Sequence, residues 1–342
     1  MSLPYWMDPY ITTPTFVWIL TIIFYPIAIM GAEWATDSLC TLALGLKVNP
    51  LVTGLIIPNL MGALPIIVFT AVLAHIGNSD GAMGVTLGGS WIMTIIPLAL
   101  AGIRVPITAR PSWISIDLPI LAVCVVLFIF LFTSDGDQNI HVIVLIAACV
   151  GYAILKYIQA QENRYSASDF GRNFIFGVSI INTLARLAMG LILLMGASLY
   201  LGRVFAAAQA RWHLPGFALG LIAALPFCLP EIKLAQETAK AGQGELLPGR
   251  GIWLGILALL LGGAAISLFH QRANSNCFNF SPLGIVAILL CLWTYLRIKR
   301  GVFQGISSLL LLVSILLLAV VWAQGYGLLT EFALPRTFEI LQ

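Results

Sequence analysis

Glu231 lies in an otherwise apolar run, directly after Leu229-Pro230. A carboxylate at the bilayer centre costs about 2.5–3.5 kcal/mol on insertion scales unless it is protonated, paired or hydrated. It is either a cation ligand or proton carrier, or one member of a buried ion pair. Lys233 is the nearest base, but side chains two apart on a helix do not face each other, so that pair would need unwinding at Pro230. Prolines flank the position: Pro226 and Pro230 in one apolar segment, Pro58 and Pro65 in another. Each removes a backbone donor and clashes with the carbonyl four residues earlier, which predicts two helices broken or kinked near their middles. Carbonyls freed there can coordinate a cation. Asn59, beside Pro58, offers an amide oxygen, although a single buried Asn more often bonds backbone.

A second polar group comprises Glu33 and Asp37, four residues apart and so on one helical face, with Arg186 as counter-charge. Structural pairing outweighs a proton path for these three. His75, His141, His213 and His270 fall near apolar segment ends without metal-ligand spacing, and interfacial placement accounts for each. The six cysteines are dispersed, without CxxC or Cys/His patterns, and read as inert buried thiols. No nucleophile elbow, phosphate loop or zinc-hydrolase motif is present, so the sequence predicts no enzyme, no cofactor and no resident metal.

The elements that must carry these residues are membrane helices. The 342-residue chain is 60% hydrophobic, 9% charged and has a mean hydropathy of +0.99, a mixture that soluble cores do not use. A net charge of +3 with scattered basic residues excludes a nucleic-acid partner. The N-terminus has no basic region before its first apolar run, so that helix is expected to be retained.

Apolar windows predict ten transmembrane helices at 16–45, 48–76, 82–103, 114–133, 139–160, 174–205, 214–241, 250–270, 281–298 and 302–324. They divide into a first repeat (1–160), a polar cytoplasmic linker (161–173), a second repeat (174–330) and a tail (331–342). The halves correspond at an offset of 165. Met30-Gly31-Ala32 returns as Met195-Gly196-Ala197, Leu64-Pro65 as Leu229-Pro230, Pro50 as Pro215, and Gly77 as Gly242. Five helices per copy is an odd number, so the copies must insert in opposite senses, as an all-α inverted-topology repeat with helices two and seven broken. Interrupted segments at matching places in two such halves point to a transporter's binding site. The acid itself breaks the symmetry: where the second copy has Glu231, the first has Ile66.

Loops after the odd-numbered helices collect eleven Lys and Arg, among them Arg110, Lys156, Arg172, Arg250 and Arg300. The opposite side holds Arg211, Arg272 and Arg336. This bias predicts both termini on the non-cytoplasmic side. Trp6, Trp18, Trp91, Trp113, Trp212, Trp253 and Trp322 fall near span ends, as interfacial anchors would.

The signature segments resemble those of the cation/calcium antiporter superfamily, which includes the sodium/calcium exchangers. The family core Gly-Thr-Ser-x-Pro-Glu corresponds to Met61-Gly62-Ala63-Leu64-Pro65-Ile66 and to Pro226-Phe227-Cys228-Leu229-Pro230-Glu231. Its later Gly-Asn-x-x-Gly-Ser-Asn corresponds to Gly84-Val85 through Gly88-Gly89-Ser90, and to Gly249-Arg250 through Gly255. The resemblance implies two inverted five-helix halves, with an ion held between a Glu from each signature, hydroxyls and carbonyls. Carried over, it makes Glu231 the ion-binding acid, with Ser90 and Cys228 at motif positions, and Asn59 beside Pro58 joins them as a candidate ligand. The departures are as informative: Ile66 replaces one carboxylate, Phe227-Cys228 a Thr-Ser pair, and Val85 and Arg250 the Asn residues. Hard divalent cations want several oxygen ligands, usually with more than one carboxylate, so calcium is not the expected cargo.

Two functions follow. One is a divergent exchanger-like transporter in the lipid bilayer, moving a proton or monovalent cation by alternating access at Glu231. The other is a transport-inactive exchanger fold serving as a structural subunit among other membrane subunits.

Overall fold

The computed structural model describes residues 14–46, 48, 52, 56–104, 107, 111–133, 137–162, 180–212, 220, 222–240, 242 and 247–269. Helices nine and ten, linker residues 163–173, the tail, and Cys277 and Cys291 lie outside the described residues, while 161–162 end a helix. Eight helices are described: α1 (Pro14–Gly45), α2 (Ile57–His75), α3 (Ser79–Arg104), α4 (Pro111–Thr133), α5 (Gln138–Glu162), α6 (Ile180–Trp212), α7 (Leu229–Lys240) and α8 (Leu247–Leu268). They fall on the first eight predicted spans. Six of them are long and apolar enough to cross a membrane, and the chain is an integral multi-pass membrane protein. At 12 residues α7 is too short to span alone, because it begins only after a break.

That break is where Pro226 and Pro230 predict it. Residues 222–224 are helical, a 3-10 turn covers Pro226–Cys228, and α7 then restarts with Pro230 at its second residue. A proline in a first turn forfeits an N–H that has no intrahelical partner anyway, so both prolines fit a restarted helix. Helix two behaves differently. Pro58 stands at the start of α2, but Pro65 lies inside it without interrupting it. The mid-helix break expected there is replaced by a continuous helix, since one isolated proline removes one hydrogen bond while packing holds both sides in line.

Helices from the first and second halves of the chain pack against each other. Along α1 and α6, Phe24 stacks on Tyr200 at 4.1 Å, Gly31 faces Gly190, and Asp37 meets Arg186, so the two run antiparallel. A Cβ on either glycine would come within 2.7 Å of the other's carbonyl oxygen. Helices α3 and α8 are also antiparallel, with Thr86 against Gly262, Ser90 against Gly255, and Thr94 against Gly251. Gly251 and Gly255, one turn apart, let these backbones approach as small-residue stripes do in membranes. The ends of α2 and α7 match as well. Gly77 (φ 86°) and Gly242 (φ 79°) adopt the left-handed conformation that closes a helix. Their amides each bond the carbonyl three residues back at 3.1 Å, on Ala74 and Ala239.

Helix α8 is the centre of the core, packed by α2, α3, α4 and α5. Trp253, expected at an interface, is instead 1% exposed in its second turn and edge-on to Tyr152 of α5. His141 is buried in the first turn of α5, beside the Phe132 ring. Lys156, counted above among loop charges, is buried in α5 and paired with Asp117 of α4. Tyr152 donates to the same carboxylate at 3.4 Å, and Lys156 also donates to Gln159 at 3.1 Å. This cluster ties α4 to α5. A buried charge survives only when paired and hydrogen-bonded, and this one is both.

Candidate functional site

Glu231 is the third residue of α7 and is 6% exposed. This helix follows directly on the 3-10 turn, whose hydrogen bonding continues into α7 through the Leu229 amide and the Pro226 carbonyl. Helix α2 makes room with Gly62, where a Cβ would stand 2.8 Å from the carboxylate Oε1 and 2.9 Å from Leu254 Cδ2 of α8. The acid therefore lies between α2, α7 and α8.

Its partner is Arg250, in the first turn of α8. Arg250 Nε donates to Oε2 at 3.0 Å and Nη2 to Oε1 at 3.1 Å, a two-pronged fork that engages both carboxylate oxygens. Planar guanidinium matches carboxylate in this way. The pair is unevenly buried, with side-chain exposures of 18% for Arg250 and 8% for Glu231. Arg250 is thus not a loop charge, and Lys233, the nearest base in sequence, is exposed. Reading the sequence residue by residue misses this pairing. Its trace was the Arg250 substitution in the second signature, where the family pattern has Asn.

The other proposed ligands spread along neighbouring helices. Asn59 is buried on α2, three residues before Gly62 and so on the same face. Cys228 is buried in the 3-10 turn, its Sγ donating to the Ile92 carbonyl of α3 at 3.6 Å. Ser90 is buried on α3 where Gly255 passes. Gly255 is five residues beyond Arg250, roughly 7 Å along the helix. Ile66 has no exposed surface and fills the space over Gly89, where a Cβ would lie 2.8 Å from the isoleucine side chain. The surroundings of Ile66 are therefore packed hydrocarbon.

Aromatic side chains cover the break. Tyr25 of α1 donates its hydroxyl to the Ala223 carbonyl at 2.5 Å. That carbonyl has Pro226, which lacks an N–H, three residues ahead. Phe227 packs between Tyr25 and Phe69, with ring centroids 4.9 and 5.5 Å away. The second polar group lies elsewhere. Asp37 and Arg186 approach to 3.8 Å with about half of each side chain exposed, the guanidinium also sits 5.8 Å from the Trp34 ring, and Glu33 is exposed. The described cysteines, Cys40, Cys124, Cys149 and Cys228, are buried free thiols. No group of three potential metal-ligating side chains occurs among the described residues.

Residues 16–161 match the family model described as sodium/calcium exchanger protein. No curated protein sequence matches the chain. Solved structures of the sodium-calcium exchanger NCX_Mj share its fold. The form soaked with 2.5 mM Na+ and 0.1 mM Sr2+ gives a TM-score of 0.55 at 19% identity, covering 88% of this chain and 98% of that one. The form soaked with 2.5 mM Na+ and 0.1 mM Ca2+ gives 0.55 at 19%, covering 89% and 95%.

Proposed function

We propose that this chain, a member of the cation/calcium antiporter superfamily, is an exchanger-type membrane transporter for a proton or a monovalent cation. Glu231 is its binding carboxylate. One observation carries the reading: a buried carboxylate stands at a proline-broken helix junction, where α2, α7 and α8 from both copies meet. Discontinuous helices of this kind place substrate ions between two halves. The antiparallel packing of α1 on α6 and of α3 on α8 supports two inverted five-helix repeats, between which alternating access would expose Glu231 to either side. Ile66 leaves the site with one carboxylate, which suits a proton or a monovalent cation better than a divalent one.

The test is flux into liposomes under imposed proton or sodium gradients, comparing wild type, E231Q and E231D. Wild type should carry a gradient-driven flux that E231Q lowers at least about ten-fold and E231D partly retains. Absence of flux in wild type, or E231Q matching wild type, overturns the proposal. A second reading, the exchanger fold kept as a structural subunit of a larger membrane complex, is favoured by the Arg250 fork and the packed Ile66. It predicts stoichiometric partner proteins on gentle purification and no flux.

A further inference from the structure

The Glu231–Arg250 geometry points to Arg250 as a tethered competitor of the transported cation, one that sets the affinity of the site. The inference rests on Glu231 being the ion-binding carboxylate. The fork uses both carboxylate oxygens, at 3.0 and 3.1 Å. A second cation therefore has no free oxygen pair to chelate. The site is also neutral with nothing bound, one carboxylate against one guanidinium.

A group held on the same protein acts at a high effective concentration, in the millimolar range for short flexible links and higher when the geometry is fixed. A cation reaches Glu231 only when the Arg250 side chain moves aside. The uneven burial allows this, since the guanidinium side keeps 18% exposure against 8% for the carboxylate, which faces Gly62. Ile66 over Gly89 supplies no second acid to receive the displaced guanidinium.

The experiment is equilibrium binding of radiolabelled sodium to the purified full chain, with choline balancing ionic strength. Wild type, R250N, R250K and the double variant E231Q/R250N are compared. In R250N the half-saturating sodium concentration should fall at least about ten-fold, equivalent to about 1.4 kcal/mol. R250K, whose ammonium lacks the planar fork, should fall between R250N and wild type, and the double variant should lose saturable binding. R250N within about two-fold of wild type, or saturable binding kept by the double variant, overturns the inference. Should R250N fail to purify, an unchanged half-saturation in R250K does the same. Flux separates this from the transport reading. A gain in R250N binding with no wild-type flux sinks transport and leaves the tether. Glu231-dependent flux with no shift in R250N does the reverse.

Discussion

The Glu231 carboxylate and the Arg250 guanidinium each stabilise the other's burial, so removing one leaves the other short of a partner. Breaking a buried pair from one side costs about 3–5 kcal/mol, whereas replacing both members can be close to neutral. E231Q should therefore lower stability by about 3 kcal/mol, the low end, because Arg250 retains some exposure. E231Q/R250Q should recover most of that loss. Thermal unfolding in detergent reads both, and a double variant as unstable as E231Q would show that the pair is not coupled. The acid was legible in the sequence because a charge within an apolar run is a local signal. The base was not, because Arg250 lies 19 positions away and resembles an ordinary positive charge at a span end. Only the packing of α7 beside α8 joins them. Asp117 and Lys156 were hidden in the same way, 39 positions apart on two helices.

Elements show where proline position decides the outcome. Pro226 and Pro230 divide helix seven because both fall in first turns of a restarting helix, whereas Pro65 lies among residues whose packing keeps α2 continuous. The sequence identifies the prolines but cannot say which break the packing will honour. Tyr25 stabilises the break that forms, through the Ala223 carbonyl. Y25F leaves that buried acceptor unpaired and should cost about 1–2 kcal/mol. Amide exchange should rise around residues 224–229 before it rises elsewhere, and unchanged exchange there would refute the role. Between α3 and α8, a Cβ at Gly255 would fall on the Thr94 hydroxyl and 2.8 Å from the Ser90 carbonyl oxygen. G255A should destabilise by about 1–3 kcal/mol through overpacking. Adding T94A should return part of this, because it removes the hydroxyl but not the carbonyl. The double-mutant cycle measures the coupling, and simple additivity would mean the two residues do not press on each other.

At the scale of the whole molecule, orientation depends on which charges count. The positive-inside rule concerns basic residues in short loops beside the spans. Of the eleven assigned above to the cytoplasmic side, Lys156 and Arg250 lie within helices and are held by Asp117 and Glu231. Paired inside the protein, they contribute little to the choice of side. Removing them leaves nine against Arg211, Arg272 and Arg336, and the bias keeps its sign. The antiparallel packing of α1 on α6 requires these helices to cross in opposite senses. On the expectation that helix one runs inward and each half crosses five times, the connection at 161–173, which carries Arg164 and Arg172, would lie on the cytoplasmic side. Five further crossings, as the apolar windows predict, would bring the chain back out. Alkaline phosphatase fused after Gln342 should therefore be active in a bacterial host, and green fluorescent protein at the same point should stay dark. Fusions within 161–173 should behave in the opposite way. Fluorescence at Gln342 with an inactive phosphatase there would mean an odd number of crossings or an inverted chain, and the fusions at 161–173 distinguish the two. Bright fluorescence at both points leaves only the crossing number of the second copy to blame, whereas an active phosphatase at 161–173 means the whole chain is inserted the other way round.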